Sequence, residues 1–144
     1  NETAISKGSL SKMIELSVHV SDKKAMSFSG DGLIVCSPTG STAYSLSAGG
    51  PILDPSCSCI AVTPICPHSL NIKSFVLHSD NKIEVNVNPG SNSAFILADG
   101  SEPVQLNQDD RIIIEKSKLS LSLIRIKDLG FYEIIRRKLS GERG

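Results

Sequence analysis

Apolar and polar residues alternate with a period of two along much of the chain. In MIELSVHV, Ile14, Leu16, Val18 and Val20 alternate with Glu15, Ser17 and His19, the pattern of a strand with one buried face. KIEVNV repeats it with Ile83, Val85 and Val87. SAFILAD, DRIIIEK and LSLSLIRI predict further strands, the last with Leu119, Leu121 and Leu123 on one face. CIAVTPI, SFVLH and the run Leu33-Ile34-Val35 add more. Turn chemistry falls between them at Ser21-Asp22, Asp54-Pro55, Ser79-Asp80-Asn81, Asn88-Pro89-Gly90, Asp99-Gly100 and Gln108-Asp109-Asp110. Many short strands at this spacing predict a mostly β, sandwich-like architecture.

Two stretches break the alternation. In STAYSLSAGG, Ser41 is placed to cap a short internal helix over Thr42 to Ala48, and Gly49-Gly50-Pro51 would stop it. In GFYEIIRRKL, Phe131, Ile134, Ile135 and Leu139 share one helical face, with Glu133, Arg136, Arg137 and Lys138 largely opposite. That predicts a C-terminal amphipathic helix, docked on the β domain or on a part of the protein outside this chain. The expected division is a β-rich domain at 1–128 and a helix with its tail at 129–144.

Composition narrows the function classes. The 144 residues carry 15 basic and 15 acidic side chains, a formal net charge of zero, which argues against a nucleic-acid or membrane-surface binder. No apolar run approaches a membrane span, and no signal peptide opens the chain. A cytoplasmic protein is expected, and the start at Asn1 without Met reads as a fragment. The cysteines are Cys36, Cys57, Cys59 and Cys66. Their spacing lacks a paired zinc motif, so reduced thiols are expected rather than a metal site or a disulfide framework.

The densest chemistry lies in DGLIVCSPTGSTAYSLSAGGPIL, Asp31 to Leu53. A helix start near Ser41, Thr42 and Ala43 would offer unpaired N–H groups to a polar or anionic ligand. Thr42, Ser45 and Ser47 add hydroxyls, and Tyr44 adds a flat face for a base. The same residues also read as a capped helix in a tight corner. A P-loop is excluded because no Lys follows Gly40, and a hydrolase elbow because G-x-S-x-G is absent there. Asp31 reads equally as a turn former, an acceptor for sugar hydroxyls or a base.

This run resembles the signature of the NAD kinase family, as does Thr63-Pro-Ile-Cys-Pro-His-Ser-Leu70. Asn1-Glu2 resembles the family's NE motif, and Asp99-Gly100 its late DG turn. The resemblance runs in order along nearly the whole chain. It implies a C-terminal NAD-binding domain whose partner, an N-terminal α/β domain, carries a GGDG motif. The Asp of that motif acts on the adenosine ribose 2′-hydroxyl, with ATP or polyphosphate as donor and Mg²⁺ or another divalent cation. Ser29-Gly30-Asp31-Gly32 lies on the wrong side of NE to be that motif. No catalytic residue and no metal ligand is therefore expected in this chain, which alone should be inactive.

The resemblance further implies NAD contacts from Asn1 and Glu2, and from Asp31, which the family often offers from a neighbouring subunit. It adds Thr42, Ala43, Tyr44, Ser45, Leu46 and Ser47, with Cys66 on the nicotinamide side. Three contact positions fit loosely: Ser29 stands where a basic residue is common, Lys12 falls on a variable position, and Ser101 replaces a longer polar residue. On spacing alone, Cys66 also reads as a small core residue and Asn1-Glu2 as a loose terminus. A homodimer or homotetramer is implied, with no nucleic acid or membrane partner. Competing expectations are a non-catalytic nucleotide-binding or oligomerisation module, and a lipid-kinase relative.

Overall fold

The computed structural model describes residues 1–9, 12–88, 93–122, 124 and 130–140. Leu123, the Pro89-Gly90 turn and the boundary at 128/129 lie outside them. The strands are β1 (Glu2–Lys7), β2 (Ile14–Val20), β3 (Lys23–Gly30), β4 (Gly32–Cys36), β5 (Cys59–Ile65), β6 (Phe75–His78), β7 (Ile83–Asn88), β8 (Ala94–Ala98), β9 (Val104–Leu106) and β10 (Arg111–Ile114). One sheet runs β6-β5-β4-β1-β8-β9 and the other β10-β7-β2-β3. Every pairing is antiparallel. The fold is mostly β and sandwich-like, as the alternation predicts.

The alternation decides which face is buried. Ile14, Leu16, Val18, Ile83, Val85 and Val87 meet Ile5, Leu33, Val35 and Val62 from the other sheet in one core. The opposite face of the larger sheet buries a second cluster, Ile34, Cys36, Leu53, Ala61 and Ile65, with Ala48 packed on it. The segment after β4 covers that face. β4 is buried along its whole length, which explains its unbroken apolar run, the mark of a strand covered on both sides. The chain passes from one sheet to the other between Gly30 and Gly32, so Asp31 sits at the crossover. Gly32 has no substitute there, because a Cβ would overlap the Ile5 carbonyl oxygen.

Two expectations are corrected. Leu119 and Leu121 do not form a strand; they are 88% and 85% exposed and pair with no described strand. Alternation orders a segment only where a neighbouring ladder and a face to bury are present. The internal helix is shorter than Thr42 to Ala48. A 3-10 turn at Thr39–Thr42 breaks at Ala43 (φ −106°, ψ −127°), and α1 is only Tyr44–Ser47. The C-terminal helix, α2 (Phe131–Ser140), carries a Glu133–Arg137 ion pair of 2.6 Å across one turn. No helix among the described residues is long and apolar enough to cross a membrane.

Candidate functional site

The segment after β4 is stitched down from inside. Ser41 is fully buried. Its hydroxyl donates to the Pro38 carbonyl (2.6 Å) and accepts from the Leu53 N–H (3.0 Å). Ser41 therefore ties the start of the segment to its end instead of capping a helix. Its own N–H goes to the Ser37 and Pro38 carbonyls, and the Ala43 N–H goes to Gly40. The expected cradle of free N–H groups at Ser41 and Ala43 is thus spent internally. What the segment presents outward is side chains: Ala43 and Ser47 exposed, Tyr44 46% exposed, and Thr42 and Leu46 half-buried.

Ser45 faces the other way. It is fully buried, with its hydroxyl 3.1 Å from that of Thr63 on β5. Burial pushes the neighbouring Cys36 thiol up, and a hydrogen bond with Ser45 partly offsets this. Gly50 leaves room for the hydroxyl pair, since a Cβ there would stand 2.6 Å from the Thr63 hydroxyl. Ser45 thus anchors α1 from beneath while Thr42, Ala43 and Tyr44 line its outer surface.

Asn1 and Glu2 are held by a residue that spacing marked only as a turn. The Asn1 nitrogen and the Glu2 N–H each donate to the Asp99 carboxylate at 2.7 Å, and the Asp99 N–H returns to the Glu2 carbonyl (3.0 Å). In this chain the bond from the Asn1 terminal ammonium, then that from the Glu2 N–H, holds the Asp99 carboxyl below the usual carboxylate range. The Asp99-Gly100 pair has positive φ at both positions (47° and 73°), the geometry of a tight hairpin turn that favours Asp-Gly. Ser101 is exposed and closes this turn, its hydroxyl accepting from the Ala98 N–H (3.2 Å). The Asn1 carbonyl also accepts from Ser37 (2.8 Å), so these residues adjoin the loop that leads to Tyr44.

Asp31, Ser29 and Cys66 gather at the other end of β4. The Asp31 N–H bonds the Ile65 carbonyl (3.0 Å), and its carboxylate pairs with Lys7 (3.2 Å). The Ser29 carbonyl accepts from His68 (2.8 Å). Cys66 is exposed with φ +44°, in the left-handed region. Lys12 is exposed, two residues before Ile14, which pairs with Gly30. At roughly 3.3 Å per residue, β4 sets these residues about 13 Å from Glu2. The candidate residues therefore form two groups in one chain. Asn1, Glu2, Thr42, Ala43, Tyr44 and Ser101 lie toward the Cys36 end of β4. Asp31, Ser29, Cys66 and Lys12 lie toward the Gly32 end.

Sequence reasoning missed Asp99 as a clamp and Lys7 as the partner of Asp31. It also missed Lys138 on α2, whose ammonium lies 3.5 Å from the Thr42 hydroxyl. Ile135 and Leu139 face Leu46 and Ile52 across a cavity of about 280 Å³ beside Thr42. The polar stripe of the helix was the only available signal for Lys138. Among the described residues no three His, Cys, Asp or Glu side chains are grouped to hold a metal ion. The donors present do not fit a resident cation.

A family model described as the ATP-NAD kinase C-terminal domain matches residues 1–126. The NAD kinase of Desulforamulus reducens is 41% identical over 139 residues, covering 96% of this chain and 48% of that protein. An NAD kinase from Archaeoglobus fulgidus, solved in complex with ATP, superposes with a TM-score of 0.73 at 35% identity, over 82% of this chain and 45% of that one. Yeast NADH kinase complexed with NADH gives 0.73 at 33% identity, over 78% of this chain and 33% of that one. The chain spans about half the length of the curated relatives it matches.

Proposed function

The chain belongs to the ATP-NAD kinase C-terminal domain family, and on that premise we propose that it is the NAD-holding part of an NAD kinase. The complete protein phosphorylates the adenosine ribose 2′-hydroxyl of NAD to give NADP. The observation that carries this reading is the outward presentation of Thr42, Ala43 and Tyr44 beside the clamped Asn1-Glu2 pair. An amide at Asn1 suits an adenine edge, a carboxylate at Glu2 suits ribose hydroxyls, and the Tyr44 ring offers a stacking face. Ser45 acts from below by fixing α1.

The distance between the two groups of residues suits contribution of Asp31 and Cys66 to the site of a neighbouring subunit, in a homodimer or homotetramer. The base and the donor phosphate site belong to the α/β part of the longer protein, with a divalent cation carried on the phosphates of the donor. That cation takes most of its ligands from phosphate and water. The exposed Leu119 and Leu121 pack toward that part.

Turnover tests this reading. The complete protein should convert NAD to NADP with ATP or polyphosphate and Mg²⁺, followed by ³¹P NMR, while this chain alone should give none. NADP formation by the purified chain would refute the assignment of the base elsewhere. Lack of turnover by the complete protein with either donor would refute the kinase reading.

A further inference from the structure

The stretch from Ser37 to Leu53, which presents Thr42, Ala43 and Tyr44 outward, contains no charged side chain. NAD is anionic at its diphosphate, and an anion that leaves water for an uncharged surface needs a cation or several donors. The N–H groups of Ser41 and Ala43 are already spent on carbonyls. The charges beside the Ser37 end of the stretch, Glu2 and Asp99, have the wrong sign for a phosphate. Lys116 lies toward that end as well, but it leans to the Asp80 carboxylate (3.8 Å). Among the described residues, the cation brought against the stretch itself is Lys138 of α2.

The docking of α2 aims that cation. Ile135 and Leu139 face Leu46 and Ile52, and Lys138 lines the same cavity. Long cationic side chains lay their stems on apolar surface and keep the charged head outside it; here the head emerges at the Thr42 hydroxyl. An ammonium only donates, so Thr42 accepts from Lys138 and keeps its own hydroxyl proton for a ligand. At 3.5 Å that bond is long. Lys138 has no carboxylate partner among the described residues, whereas Arg137 is held by Glu133 at 2.6 Å. Its ammonium can therefore turn to a stronger acceptor. We propose that Lys138 binds the diphosphate of the nucleotide, so that the C-terminal helix supplies the positive charge that the stretch after β4 lacks, with the Thr42 hydroxyl as a second donor. This inference rests on the NAD reading of that surface.

Calorimetric titration of the complete protein with NAD tests it, with Lys138→Gln and Lys138→Arg beside the parent. Gln removes the charge and keeps a donor; Arg keeps the charge. The diphosphate is the anionic group of NAD, so an effect of charge reports on it. At low salt Lys138→Gln should bind NAD about 5-fold more weakly, and Lys138→Arg should stay within about twofold of the parent. In about 1 M salt, where the screening length falls to roughly 3 Å, Lys138→Gln and the parent should converge to within about twofold. If Lys138→Gln does not fold, Lys138→Met takes its place. Equal affinity of parent and Lys138→Gln at low salt, equal weakening by Gln and Arg, or a deficit undiminished in high salt would overturn the proposal. Tyr44→Ala separates the inference from its premise. If Tyr44→Ala weakens NAD binding and Lys138→Gln does not, the nucleotide surface stands and the role of Lys138 falls. If the parent binds no NAD, or Tyr44→Ala binds it as the parent does, the NAD reading of the surface falls and the role of Lys138 with it.

Discussion

The two ends of β4 are held by different physics. At the Cys36 end one carboxylate, Asp99, gathers the terminal ammonium of Asn1 and the Glu2 N–H across a sequence separation of 98 and 97 residues. A buried hydroxyl pair, Ser45 and Thr63, then ties α1 to the sheet. At the Gly32 end the backbone crosses between sheets under steric constraint, and Lys7 pairs with the partly exposed Asp31 carboxylate at 3.2 Å. The first end is organised by hydrogen bonds that need particular side chains. The second is organised by backbone shape, with Cys66 exposed at a left-handed φ of +44°.

Gly32→Val should have the largest effect, because it drives a side chain into the Ile5 carbonyl. Overpacking of this kind costs about 3 kcal/mol or more, enough to lower Tm by roughly 10 °C in a domain of this size. Calorimetric melting checks it, and a shift of less than about 2 °C would mean the crossover has slack.

Asp99→Ala should cost less. Its carboxylate is 54% exposed, so the loss is about 1 kcal/mol after solvent screening. Its pH dependence sharpens the contrast. The folded carboxyl lies below its ordinary value of 3.8, so its contribution is complete above that value and is lost as pH falls through the lower folded one. Denaturant titrations should therefore show a constant gap between parent and variant from neutral pH down to about pH 4, closing only in stronger acid. A gap that closed near neutrality would exclude the clamp as its source.

Lys7→Ala should change stability least, by under about 0.5 kcal/mol, as a partly exposed ion pair does. The same denaturant titration in high salt should erase even that. A larger, salt-resistant loss would mean that the Gly32 end also depends on its side chains.

Legibility in the sequence followed the same divide. Strands with clean alternation, such as Ile14–Val20 and Ile83–Asn88, were readable because one face is core. β1 was not, since Glu2, Thr3, Ala4 and Ser6 dilute its single large apolar residue, Ile5, and its place beside β4 and β8 comes from long-range pairing. Among the described residues β3 pairs only with β2, and its lysines and serines hide Met26 and Phe28. β9 is three residues long. Leu119 and Leu121 taught the converse, that period two without a partner remains exposed. In the candidate site the residues were legible as a family motif, but their directions were not. Nothing local distinguishes Ser45, which points inward, from Ser47, which is exposed. Asp99 looked like any turn former because its partners lie at the other end of the chain.

The central claim is that NAD contacts Tyr44 of one subunit and Asp31 of a neighbouring one. Isothermal titration of the complete protein with NAD, for the parent, Tyr44→Ala and Asp31→Ala, tests it most directly. Loss of a stacking ring should weaken binding by about tenfold or more, and loss of the Asp31 acceptor should weaken it by a smaller factor, with folding intact in both. Unchanged affinity in both variants would contradict the assignment.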